Sequence, residues 1–374
     1  MSIPDVVLVG YYGRGNFGDD VLMTVTHSIA RSILPRASIG IRLGSDVSYP
    51  SQLIGEDMNP VSFGTRDIHQ LIIHGGGGTF FDFSPHSLAD RGVNSVLLSG
   101  GTRGFVRIDR ALRRLTNRSR MSALNRIGLG LGIGTFTPGS KKLLAALPLL
   151  DDFDHLWVRD PSSISNLDNL SVGPSAILGS DLAFLSDCWC PTELILRPRA
   201  TVHRRPRVGV ILRDWPAGSG ADFAGLFRPV ISALSAQYDL TIISFDPATD
   251  RGTLQALKDW PQQQWQAGST NLQSFLKALS DYDVLLTSRA HGAICGACVG
   301  RPSVILEIEP KLAAINAMLP QATRIASPRS DAATVGRLIE EALSISGDCI
   351  AEDFIRNKKL SEEALSRILE GLEL

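Results

Sequence analysis

The hydrophobic positions of the chain fall in short β-branched runs, separated by longer segments whose apolar residues recur every three or four positions. In the first half the runs lie at 6–9, 38–42, 71–74 and 126–132, and residues 19–34 form the first helical segment. Such alternation predicts a parallel sheet covered by helices on both faces. A second series begins at 207–212 and continues through 239–244, 284–287 and 303–307. Between the two series lie residues 191–206, rich in proline and arginine and without a period, which read as a linker. The organisation expected is α/β. A Rossmann-like domain over 1–190 and a second over 207–350 face a central cleft, and a charged amphipathic helix over 351–374 packs back on the first. The site is then expected where the carboxyl ends of the strands meet.

Composition narrows the choice of partner. Lys and Arg total 37 against 38 Asp and Glu, a net charge of −1, so no global field exists to grip a polyanion, and nucleic acid is excluded as the expected ligand. Apolar residues at 44% suffice for ordinary cores, while 35 glycines and only 6% aromatics suggest many tight strand-to-helix turns. The chain starts without a basic segment and apolar core of the secretory kind, and its longest uncharged apolar stretch, 143–150, is shorter than the roughly 20 residues of a membrane span. A cytoplasmic location is the expectation. Of the five cysteines, Cys295 and Cys298 form a C-x-x-C in a Gly/Ala-rich apolar segment. Without a second pair of ligand spacing they read as buried thiols rather than a metal or redox site.

Three glycine clusters sit at strand ends. The first contains a literal G-x-G-x-x-G at Gly13, Gly15 and Gly18, but no acidic residue follows the second strand where a dinucleotide ribose would need one. Asn16 and Asp19 are instead placed to cap the next helix and aim its N-terminus at a ligand. The second cluster, His74 followed by Gly75, Gly76, Gly77 and Gly78, suggests close backbone approach to a ligand. The third is Gly128, Gly130, Gly132 and Gly134. Cations follow other strands. Arg159 and Asp160 come after Trp157-Val158, and Arg213 and Asp214 repeat the arrangement more weakly in the second half. The segment Ser288-Arg289-Ala290-His291-Gly292 ends a buried strand and opens a helix of small residues, which places an arginine and a histidine at a natural anion site. Lys311 follows the next strand.

Taken together, Asn16-Phe17-Gly18-Asp19, His74 with its glycine run, Val158-Arg159-Asp160 with Ser163, Gly179-Ser180-Asp181-Leu182, and Ser288-Arg289-Ala290-His291 with Gly300-Arg301-Pro302 and Lys311 resemble the polysaccharide pyruvyl transferase family. The resemblance spans nearly the whole chain in order. It implies a fold like that of the two-Rossmann (GT-B) glycosyltransferases, with the N-terminal domain on the acceptor side. It also implies transfer of the enolpyruvyl carbons of phosphoenolpyruvate to two hydroxyls of a sugar in an exopolysaccharide or cell-surface precursor, lipid-linked or free, with release of phosphate. By that resemblance Arg159, Arg289 and Lys311 bind the donor and His291 is the catalytic histidine. Asn16, Gly18, Asp19, His74, Gly76, Gly77, Asp181 and Ser288 complete the expected pocket. Phosphoenolpyruvate is a small trianion, which convergent cations suit better than an adenine pocket does. No metal or cofactor is required. His74 is an alternative acid, and Asp19, Asp82 and Asp181 are alternative bases.

Two rival functions fit the same architecture: a glycosyltransferase with a nucleotide-sugar donor, whose ribose Glu307 or Glu309 would hold, and a non-catalytic carbohydrate-binding protein. Finally, residues 103–126 carry eight arginines and one acid. Two accounts suit them, a solvated surface and peripheral docking to anionic lipid at the inner face of the membrane.

Overall fold

The computed structural model describes residues 3–43, 46–62, 67–78, 80–82, 101–115, 121–137, 140–198, 205–214, 223–269 and 271–372. Residues 199–204 of the expected linker and 116–120 of the arginine-rich stretch lie outside them. The two apolar series become two parallel sheets. The first has seven strands: β1 (Val6–Val9), β2 (Ile39–Ile41), β3 (Asn59–Pro60), β4 (Ile68–Gly75), β5 (Ser122–Leu131), β6 (His155–Val158) and β7 (Ile177–Leu178). Their spatial order is β3-β2-β1-β4-β5-β6-β7. The second has β8 (Arg207–Ile211), β9 (Asp239–Ser244), β10 (Gln262–Gln264), β11 (Val284–Thr287), β12 (Ser303–Leu306) and β13 (Thr323–Ala326), in the order β10-β9-β8-β11-β12-β13. Both sheets therefore reverse direction between their first and fourth strands, as in a Rossmann fold. The central strands are buried throughout: every residue of β11 and β12 is covered, the pattern of a sheet flanked by helices on both sides.

The chain divides into two compact units. Unit 1 comprises the residues up to Gly13, Leu22–Leu182, and the chain from Leu360 on; unit 2 comprises Arg14–Val21 and Ala183–Lys359. This differs from a single boundary in the 191–206 segment, and aromatic packing explains why. Phe17 opens the helix Phe17–Ile33, and its ring lies 4.9 Å from Phe245, 5.3 Å from Trp265 and 4.7 Å from Phe275, all residues of unit 2. Its amide donates to the Phe245 carbonyl at 2.8 Å, and the Trp265 indole donates to Asp20 at 2.8 Å. These contacts bind the first turn of an N-terminal helix to the second unit. The last helix, Gly347–Glu370, is shared likewise. Asp353 accepts from the amides of Gln321 and Ala322 in unit 2, and Ser361 donates to the Asp181 carbonyl in unit 1.

Arg301, of the Gly-Arg-Pro motif, is a structural clamp. It is fully buried, and its guanidinium donates to the carbonyls of Ser280, Arg197, Pro198 and Gly300, so part of the expected linker is tied into unit 2.

Candidate functional site

The carboxyl ends of β8, β11 and β12 each deliver a cation. Arg213, Arg289 and Lys311 follow three strands that are neighbours in the sheet, and β8 and β11 flank its switch point. The Thr287 hydroxyl accepts from the Arg289 amide at 3.0 Å and donates to the Arg289 carbonyl at 2.9 Å, which fixes the turn presenting this arginine. Ser288 accepts from the Arg213 amide at 3.1 Å and so joins the tips of β8 and β11.

Buried carboxylates hold the three cations. Arg289 donates to Asp250 at 2.5 Å, and Ser244 donates to the other Asp250 oxygen at 2.9 Å. Burial pushes the Asp250 carboxyl up, against the pull of Arg289. Glu309, with no side-chain exposure, reaches Arg213 at 2.9 Å and Lys311 at 2.8 Å. The cations themselves stay accessible: side-chain exposure is 22% for Arg213, 17% for Lys311 and 11% for Arg289. Two carboxylates thus position three cations while leaving part of each to an anionic ligand.

His291 stands in the first turn of the helix Ala290–Cys298. The small residues of this helix let it lie close to the sheet; a Cβ on Gly292 would come within 2.2 Å of the Thr287 hydroxyl. The Asn16-Phe17-Gly18-Asp19 segment meets the histidine from the other side. A Cβ on Gly18 would lie 2.2 Å from His291 Nδ1, so only glycine leaves room for the ring. Asn16 accepts from the Gly18 amide at 3.0 Å and donates to Asp246 at 3.5 Å. Asp19 is half-buried, and burial raises its carboxyl to about 6. His291, Arg289 and Lys311 pull it down and Asp246 pushes it up, so Asp19 shares one electrostatic field with the histidine and two of the cations.

The other residues singled out in the sequence belong to unit 1 and have partners there. His74 accepts from Arg126 at 3.0 Å, and its ring meets the edge of Phe153. Burial, then Arg126 and Arg42, hold its pKa well below the ordinary histidine value. In this setting the ring's Nε2 accepts from Arg126. The glycines after it face the protein's own side chains. A Cβ on Gly75 would strike the hydroxyls of Thr26 and Tyr12, and Gly76, at φ +49°, backs onto Leu22. Gly77 has φ +81° and accepts from the Gly132 amide at 3.2 Å.

Arg159, in unit 1, is held by two aspartates of the same unit. It donates to Asp181 at 3.0 Å and lies 3.5 Å from Asp160, with 2% of its side chain exposed and none of Asp181. Asp160 caps the helix Pro161–Leu170, accepting from the Ser163 amide at 2.8 Å, and the Ser163 hydroxyl accepts from the Ile133 amide at 2.9 Å. The Val-Arg-Asp-x-x-Ser and Gly-Ser-Asp motifs therefore lock each other, joining the ends of β5, β6 and β7. None of the five cysteines forms a disulfide, and Cys295 and Cys298 are buried in the helix Ala290–Cys298.

Sequence reasoning did not find Asp246 and Asp250. Their signal was a serine and two aspartates, Ser244-Phe-Asp-Pro-Ala-Thr-Asp250, directly at a strand end. Glu309 was considered only for a ribose; its two ion pairs assign it to Arg213 and Lys311 instead.

Comparison with known proteins agrees with this architecture. The sequence matches the polysaccharide pyruvyl transferase family over residues 16–310. No curated protein is significantly similar to it in sequence. Among solved structures, the spinosyn rhamnosyltransferase SpnG is 14% identical, covering 98% of this chain and 99% of that one at a TM-score of 0.51. The S. aureus MnaA–UDP complex is 8% identical, with 97% and 94% covered and a TM-score of 0.55. The Methanocaldococcus jannaschii UDP-GlcNAc 2-epimerase, solved with UDP-GlcNAc and UDP, is 10% identical, with 98% of both chains covered and a TM-score of 0.54. At such identities these structures speak for the paired Rossmann-like (GT-B) fold alone, whereas the family match takes in the Asn-Phe-Gly-Asp segment and the Arg-x-His tip together. The chain belongs to the polysaccharide pyruvyl transferase family.

Proposed function

We propose that this protein transfers the pyruvyl group of phosphoenolpyruvate to two hydroxyls of one sugar residue in a polysaccharide precursor, forming a cyclic ketal and releasing phosphate. The observation that carries the reading is the group of Arg213, Arg289 and Lys311 at adjacent strand tips in unit 2, with His291 and Asp19 in the same cluster. A donor with a carboxylate and a phosphate matches several partly exposed cations. The alternative use of Glu309, as a ribose acceptor for a nucleotide sugar, is disfavoured by its complete burial between two cations.

In this reading His291, protonated, gives its proton to the methylene carbon of the donor, and the first sugar hydroxyl bonds to the central carbon. Asp19 takes the proton of that hydroxyl; a carboxyl raised to about 6 is still mostly ionised near neutrality yet basic enough for the task. The second hydroxyl then bonds to the same carbon as the carbon–oxygen bond to phosphate breaks, and its proton leaves with the phosphate. Asp19 then passes its proton to His291, which restores both groups, and the other hydroxyl proton departs with the leaving group. Arg289, Lys311 and Arg213 stabilise the charge that gathers on phosphate as it leaves.

The test is phosphate release from phosphoenolpyruvate in the presence of acceptor sugars. His291→Ala is expected to slow it by about 10²–10⁴-fold, the usual contribution of a general acid. Unchanged turnover in that variant overturns the assignment.

A further inference from the structure

The helix Gly101–Leu115 of unit 1 presents an unusual outer face. Its inner side is anchored: Val106 is buried, Phe105 packs on the unit 1 core, and Thr102 donates to the Leu170 carbonyl at 2.5 Å. Its outer side is not uniformly polar. Ile108 and Leu112 are 58% and 55% exposed, and Arg103, Arg107, Arg110 and Ala111 are exposed as well. With 3.6 residues per turn, the three arginines fall within about 60° of one another and the two aliphatic residues within about 40°, the two groups lying along opposite edges of an exposed side that spans about 200°. Gly101 and Gly104 on that side have nothing within 4 Å of a notional Cβ.

An ordinary solvated helix keeps aliphatic side chains off this face, and a surface built for a soluble polyanion has no use for them. Cations along one edge of the exposed side and aliphatic residues along the other match a bilayer interface, where arginines meet lipid phosphates and the aliphatic residues enter the acyl boundary. The charge is local: the helix carries five arginines and one aspartate in a chain of net charge −1. Some of it is spent internally, since Arg110 pairs with Asp151 at 2.5 Å and Arg113 with Asp109 at 2.7 Å. Arg103 still exposes its side chain while its Nε donates to the Ser171 carbonyl at 2.8 Å.

We infer that the outer face of the helix Gly101–Leu115 docks the protein on an anionic lipid bilayer, with Arg103 and Arg107 on headgroup phosphates and Ile108 and Leu112 in the interface. The inference is independent of the pyruvyl transfer reading, and a His291→Ala protein is expected to bind membranes as the wild type does.

Sedimentation with vesicles of 30% phosphatidylglycerol in phosphatidylcholine, beside pure phosphatidylcholine, tests it with the full chain. The protein is expected to pellet with the anionic vesicles and remain in the supernatant with the neutral ones. The double variants Arg103→Glu/Arg107→Glu and Ile108→Ser/Leu112→Ser are each expected to lower the partition coefficient at least tenfold; all four positions are exposed, and circular dichroism checks that the variants fold. Failure to pellet with anionic vesicles, equal binding to neutral ones, binding of heparin with no binding of vesicles, or wild-type partitioning by both folded variants would overturn the inference.

Discussion

Arg159 and Arg289 each stand just past the end of a buried parallel strand, β6 in unit 1 and β11 in unit 2, and each is held by an aspartate farther along or back in the chain. In sequence they look like the same device. In the fold Arg159 is sealed, 2% exposed between Asp181 and Asp160, and its guanidinium packs against Gly132. Arg289 keeps an accessible edge, and Arg213 and Lys311 beside it keep more. His74 and His291 divide the same way: one accepts from Arg126 in a core, the other sits half-buried against Gly18 among cations. A strand tip is thus a place where charge can be stored for stability or offered to a ligand, and the exposure left after internal pairing decides which.

That contrast can be broken from either side. The largest effects are expected on activity in unit 2: Arg289→Ala should lower kcat/KM for phosphoenolpyruvate by about 10²–10³-fold, the range for loss of one preorganised charge partner, with little change in thermal stability. In unit 1 the effect should fall on stability. Arg159→Ala leaves Asp181 buried without its partner and is expected to cost about 3–5 kcal/mol, read by denaturant unfolding. An Arg159 variant that folds as firmly as wild type but binds donor poorly would merge the two classes. A smaller effect is expected from Glu309→Gln, which removes the charge holding Arg213 and Lys311 together. The expectation is a rise in KM of about tenfold, from about 1.4 kcal/mol of lost binding, with kcat less affected.

The smallest effects are on the pH dependence of stability, and their signs differ. Asp19 is raised from 3.8 to about 6, so the folded state holds its proton longer than the unfolded chain does, and stability falls as pH rises through that window. Asp19→Asn should flatten this slope. His74 is lowered below 6.5, so the unfolded chain takes up a proton that the folded state refuses, and stability is lost as pH falls below about 6.5. His74→Gln, which retains an acceptor for Arg126, should remove this component. Unfolding free energies measured from pH 4 to 8 would read both.

The two apolar series were sufficient to place both sheets, because parallel strands buried on both faces leave unbroken hydrophobic runs such as Val284-Leu-Leu. Arg289, His291 and Lys311 were legible for a related reason, since polar residues directly after such runs must lie at the sheet's carboxyl edge. What the pattern hid was pairing at a distance. Asp250 meets Arg289 from 39 residues away, and nothing local distinguishes it from a surface aspartate. The glycine runs announced close approach but not by what; at Gly75 it is Tyr12 and Thr26. The unit boundary was hidden likewise, because Arg14–Val21 follows the first strand in sequence while the rings around Phe17 belong to unit 2.

The central claim is that the unit 2 strand tips bind a small multiply charged donor. Calorimetric titration of phosphoenolpyruvate into the wild type and the Arg289→Ala/Lys311→Ala double variant tests it most directly. The expected result is measurable binding to the wild type and at least a hundredfold weaker binding to the folded double variant. Equal affinity for both proteins, or binding of a nucleotide sugar by a wild type that ignores phosphoenolpyruvate, would contradict it.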